Sequence, residues 1–104
     1  MTFDEWTVEG IRRFGPNREA WRFVCPCCKY EQTVAECRHA GQPVNAIGFS
    51  CIGRWTGAQR EALGGKGPGP CNYAGGGLFR LNPIRVLDPE GIAHELFAFA
   101  EPPA

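Results

Sequence analysis

The sequence predicts an α+β fold: a small antiparallel sheet with two or three short helices around a zinc-ribbon-like, metal-stabilised core. Three observations point there. Six cysteines sit in a chain of 104 residues, and two of them form a Cys-x-x-Cys knuckle. Two capping-box patterns each open a short helical run. Short runs of strand formers end on cysteines. The composition agrees, because 14 Gly and 9 Pro weaken helices and strands alike, and a chain this small has little core to spare. Aromatic residues at 12% argue against disorder.

The elements follow in order. Thr2 and Glu5 form a capping box, and Phe3, Trp6, Gly10 and Phe14 recur at helical spacing until Gly15-Pro16 stops the run. This predicts a helix over 3–14. Trp21-Arg22-Phe23-Val24 reads as a strand delivering Cys25, and Tyr30 to Gln32 as its hairpin partner. Thr33 with Glu36 caps a two-turn helix over 34–40, stopped at Gly41. Ile47-Gly-Phe-Ser-Cys51 reads as a further strand ending on a cysteine.

Residues 53–70 form a long connection in which Thr56 and Gln59 cap a short helix ending at Gly64. From Gly64 to Gly77 half of the residues are Gly and two are Pro, so no regular element fits there. Residues 78–81, 84–87 and 92–99 read as consecutive strands. Asp88-Pro-Glu-Gly91 has Pro second and Gly last, a turn that makes the final two strands an antiparallel hairpin. The expected organisation is a single zinc-binding domain over 1–104, with an N-terminal helix at 3–14, a metal core at 21–80 and a C-terminal β-hairpin at 83–100.

The chemistry lies in the cysteines. Cys25-Pro-Cys-Cys28 is a knuckle in which two thiolates can bind one Zn²⁺ while backbone amides donate to the sulfurs. Tetrahedral closure needs two more soft ligands, and Cys51 and Cys71 are the natural candidates. Cys27 and Cys37 are spare, with Cys27 pointing away from a metal held by its neighbours, and His39 is an alternative ligand. One structural zinc contributes on the order of 10 kcal/mol to folding, the scale of a small domain's whole stability. Four thiolates leave no position for water, so such a site is structural rather than catalytic. The His-x-Glu and Pro-Cys-x-x-Cys order of zinc deaminases is absent, as are P-loop, Gly-x-Ser-x-Gly and His-Glu-x-x-His motifs. A non-enzymatic protein is expected.

The first twenty residues carry charges throughout, so no secretory signal is expected. No apolar stretch approaches the length of a membrane span. A reducing cytoplasm follows as the expected compartment, where cysteine clusters hold metals more often than disulfides. Charge is segregated although the total is zero. Residues 53–87 hold Arg54, Arg60, Lys66, Arg80 and Arg85 against Glu61, a net +4. Residues 88–104 hold Asp88, Glu90, Glu95 and Glu101 with no basic partner, a net −4. Arg54, Trp55, Arg60, Lys66 and Arg80 are therefore candidates for contact with phosphates and bases or with a protein partner. The bland reading is a solvated loop with Trp55 folded onto the core. Gly75-Gly76-Gly77 could make an anion nest beside Arg80 or simply let the chain turn tightly.

Laid out in this way, the chain resembles a family of small, uncharacterised phage and prophage proteins. The resemblance rests on Cys25-Pro-Cys-Cys28, Gly48-Phe-Ser-Cys-Ile-Gly-Arg54, Gly69-Pro-Cys-Asn-Tyr73 and Gly76-Gly-Leu-Phe79, and spans roughly 21–99. It implies Cys25, Cys28, Cys51 and Cys71 as the shared cysteines. Lys29 stands where the family has Gly, and Pro70 separates Gly69 from Cys71. The function expected is that of a phage-encoded accessory protein in the host cytoplasm. It would bind a host protein or defence complex in the manner of an anti-CRISPR-type inhibitor. A nucleic-acid-binding zinc ribbon using 53–87 is the alternative.

Overall fold

The computed structural model describes residues 1–67, 69–77 and 80–102. Helix α1 spans Phe3–Phe14, as the sequence predicts, with both hydrogen bonds of the Thr2/Glu5 capping box formed. The helix docks through Gly10, where a Cβ would lie 2.4 Å from the Trp21 ring. Trp6 stacks at 5.4 Å on Phe99, which stacks at 5.2 Å on Phe23, while Trp21 meets Trp6 and Phe99 edge-on. These aromatic pairs join α1 to the first sheet.

That sheet has three antiparallel strands in the order β2-β1-β5, where β1 is Arg22–Val24, β2 is Glu31–Thr33 and β5 is Ala98–Phe99. The predicted hairpin pairs Phe23 with Gln32, and Phe23 also faces Phe99. Helix α2, Val34–His39, carries the second predicted capping box and buries Cys37. The second sheet is the expected hairpin of β3, Ile84–Leu87, with β4, Ala93–Leu96. The Gly91 N–H closes its turn on the Asp88 carbonyl at 2.9 Å, with Gly91 in the left-handed region.

Four expectations change. The stretch 47–51 is a series of turns rather than a strand. Gly48 takes φ +74°, and Phe49 and Ser50 N–H both return to the Ala46 carbonyl. The short helix expected from its Thr56 cap to Gly64 does not form: 57–64 is turn and irregular. The helix of this connection is instead α3, Gly53–Thr56, which Gly57 ends in the left-handed conformation. Residues 92–99 are two strands, not one. Phe97 is fully buried and gives its N–H to the Gly48 carbonyl at 2.7 Å, which breaks the ladder and hands the chain to the other sheet. Finally, Arg80 and Leu81 are not in a strand, while Leu78 and Phe79 of that expected strand lie outside the described residues. The core gathers Phe23, Ile52, Tyr73 and Phe97 with four buried cysteines. Among the described residues no helix is long and apolar enough to cross a membrane.

Candidate metal centre

Cys25 leaves the end of β1, and the next residues turn back at once. Lys29 N–H bonds the Cys25 carbonyl at 3.0 Å, and Cys25 N–H bonds the Tyr30 carbonyl at 3.1 Å. Lys29 closes the knuckle at φ +65°, the one non-glycine residue with positive φ among those described. Left-handed backbone is disfavoured for a side chain with a Cβ, so the surrounding bonds hold it there. The Lys29 ammonium also donates to the Pro26 carbonyl at 3.1 Å.

Cys51 and Cys71 arrive on separate loops that are sewn together. Cys51 N–H bonds the Tyr73 carbonyl at 3.0 Å, and Cys71 bridges to Arg60. The approach depends on glycine at two places. A Cβ on Gly53 would lie 1.9 Å from the Cys71 carbonyl oxygen, and one on Gly69 would lie 2.8 Å from the Cys28 sulfur. The segments 48–54 and 69–73 are therefore close-packing segments as well as carriers of thiols.

The four sulfurs of Cys25, Cys28, Cys51 and Cys71 lie within 4.8 Å of one another. Cys25 and Cys71 Sγ are 3.8 Å apart, as are Cys28 and Cys51 Sγ. A tetrahedral centre with metal–sulfur bonds of about 2.3 Å places its sulfurs about 3.8 Å apart. All four thiols are free, and the spacing is far beyond a disulfide's. The donor set and its spacing therefore fit a metal ion, and these four cysteines could hold one.

The electrostatics point the same way. Backbone N–H groups of Cys27 and Cys28 aim at Cys25, those of Gly53 and Cys71 at Cys51, and that of Tyr73 at Cys71, each favouring a thiolate. Cys51 lies well below the ordinary thiol range, first because the Cys25 thiol donates to it. Cys25 is raised by that same shared proton and by burial, and burial raises Cys71. Four thiolates crowded this closely repel one another, and a cation in their midst is what lets all of them ionise.

Gln32 is a part of the site that sequence reasoning missed. Its side chain is fully buried. Its Nε2 faces Cys51 Sγ at 3.9 Å and the Tyr30 carbonyl at 3.3 Å, while its Oε1 accepts the Ile52 N–H at 2.9 Å. A buried amide in β2 thus orients the loop that carries Cys51. The one available signal was a polar residue at an inward position of a short strand.

The spare cysteines lie outside the four-sulfur group. Cys37 is buried on α2, 3.9 Å from Gln32 Oε1, and Cys27 is half-buried on the knuckle. His39 is exposed at the end of α2 and is not in the group. The basic residues are dispersed. Arg54 is exposed with Nη1 on the Asn72 carbonyl at 3.1 Å, and half-buried Arg60 donates to the Gly67 carbonyl. Trp55 is half-buried, and Lys66 and Arg80 are exposed. Gly75 packs against the Phe49 carbonyl and gives its N–H to Ser50 Oγ at 2.9 Å, so at least this glycine serves the close turn.

A small α+β domain drawn around four convergent thiols is the class that this architecture defines. The chain belongs to the VVA0879-like family, whose model matches residues 2–100. No curated protein and no solved structure shows significant similarity to it.

Proposed function

We propose that the four thiolates hold one structural Zn²⁺ and that the chain is a non-catalytic module that binds a protein partner. The observation that carries this reading is the cysteine cluster itself. Its four sulfurs are spaced for tetrahedral coordination and converge from three loops, and a sphere of four protein ligands leaves no position for substrate. An all-thiolate tetrahedral set suits zinc better than hard cations, which take oxygen ligands. The resemblance carried by Gly48–Arg54 supports a phage-encoded accessory protein in the host cytoplasm, directed at host machinery or a defence complex.

The nucleic-acid reading has less support, since Arg54 and Arg60 already donate to backbone carbonyls. Elemental analysis of the purified chain tests the first half, with one zinc per chain expected. Affinity capture from host lysate tests the second, with a saturable protein partner expected. A salt-sensitive gel shift without a protein partner would favour nucleic acid, and turnover on a substrate at an open metal position would overturn both.

A further inference from the structure

Away from the cysteines, two hollows of about 360 and 380 Å³ meet along a shared wall of Trp6, Val44 and Ile47. Together they form one groove between α1, the 44–47 turn and the β3–β4 hairpin. Val44 stands 79% exposed at its middle and Phe3 40% exposed at one lip. Single exposed apolar residues are ordinary on a protein surface. A continuous apolar groove bounded by charged residues of opposite sign is a different feature, because shape and charge can act together on one ligand.

The two ends differ in charge. At the hairpin end, Asp88 lines the groove, and Asp4 joins it around the adjoining surface of Phe3 and Pro89. The Asp88 carboxylate is fixed by the N–H groups of Glu90 and Ile92 and by His94 Nε2 at 3.0 Å. At the α2 end the lining carries Arg18, Arg38 and Glu19; Glu19 pairs with Arg38, so the end keeps a net charge of +1, centred on Arg18. Arg18 lies 4.3 Å over the Trp21 ring, which keeps its guanidinium at the groove wall.

We infer that this groove receives a peptide segment of a partner protein with an apolar middle, a basic residue at one end and an acidic residue at the other. The inference rests on the reading of the chain as a protein-binding module and names the surface and the partner's chemistry. The apolar middle fills the two hollows on either side of Val44. The basic end meets Asp88 and Asp4, and the acidic end meets the net positive charge around Arg18. Charges of opposite sign at the two ends select orientation and reject segments with the wrong pattern.

The test uses the metal-loaded full chain and two synthetic peptides of identical composition. One has lysines at one end of a leucine-rich middle and glutamates at the other; its control has the same charges interleaved. Trp6 and Trp21 report binding by fluorescence. Saturable binding of the first peptide is expected, with the control about tenfold weaker, and with Val44→Glu and Arg38→Glu each weakening the first peptide about tenfold. Val44→Thr serves if the Glu variant folds poorly, and metal content checks folding in each. Equal affinity for both peptides, or binding indifferent to position 44, would overturn the inference. A concentration-dependent dimer abolished by Val44→Glu would also overturn it, because a second copy would then occupy the groove. A host partner captured equally by wild type and Val44→Glu would overturn the groove while leaving the binding-module reading intact.

Discussion

The carbonyl oxygen of Cys71 occupies the space that a Cβ at position 53 would need, 1.9 Å from the ideal Cβ position of Gly53. Cys71 therefore reaches the sulfur cluster only because Gly53, two residues after Cys51, has no side chain. Gly53→Ala should push the two loops apart, costing roughly 1–3 kcal/mol or more as an overpacked contact, and should lower metal affinity. Gly57→Ala is the control. Its glycine has φ +72° with open space around it, so the change should lower the melting temperature by a backbone effect of about 1 kcal/mol while leaving metal content intact. Thermal melts with elemental analysis of both variants check this.

Removing the metal should unfold much of the chain. A chelator titration followed by circular dichroism should show loss of structure coincident with metal release, on a scale of about 10 kcal/mol. Cys51→Ser and Cys71→Ser should abolish stoichiometric metal, whereas Cys27→Ser, outside the four-sulfur group, should retain it. Metal uptake displaces thiol protons, so apparent affinity should fall as pH falls.

Gln32→Leu should keep the shape of the buried side chain but strand the Ile52 N–H, which now bonds Gln32 Oε1 at 2.9 Å. A buried donor left unpaired costs about 1–3 kcal/mol. Gln32→Glu should weaken metal binding further, because a carboxylate in that place adds negative charge beside the Cys51 thiolate, whose Sγ lies 3.9 Å from Gln32 Nε2. Competition with a chromogenic chelator would rank the two variants against wild type.

Glu9 offers a pH test independent of the cysteines. Hydrogen bonds from Arg12 and then Arg13 hold its carboxyl near 2, below its ordinary 4.5. A depressed folded-state value means that the stabilisation is fully present above about pH 4.5 and is lost as pH falls toward about 2. The difference in melting temperature between wild type and Glu9→Gln should shrink across that window. A constant difference would show that the arginine contacts at Glu9 contribute nothing to α1 in solution.

Local signals in the sequence located α1, β1, β2, α2 and the last hairpin. Each depends on neighbours a few residues away: Thr2 with Glu5, Thr33 with Glu36, Asp88 with Gly91. Where the sequence misled, a distant partner had decided. The 47–51 stretch has strand-forming residues, but buried Gln42 donates its side-chain amide to the Ala46 and Ser50 carbonyls and holds the segment as turns. Phe97 continues a strand pattern, yet its burial beside Tyr73 and its bond to Gly48 divide the strand in two. Thr56, whose pattern suggested the opening of a helix running to Gly64, instead closes α3, because Gly57 takes the left-handed conformation directly after it.

By itself the sequence determined the chemistry that could be assembled: four thiols on three loops (two of them glycine-bearing), two capped helices and a hairpin. Those features are set by residue type and short-range geometry. Only the tertiary structure decided that the four sulfurs converge within 4.8 Å, that Gln32 turns its amide toward Cys51, and that Val44 lines both hollows of one groove. Those facts depend on loops without regular hydrogen bonding. Their paths are fixed by what they pack against rather than by any periodicity of their own.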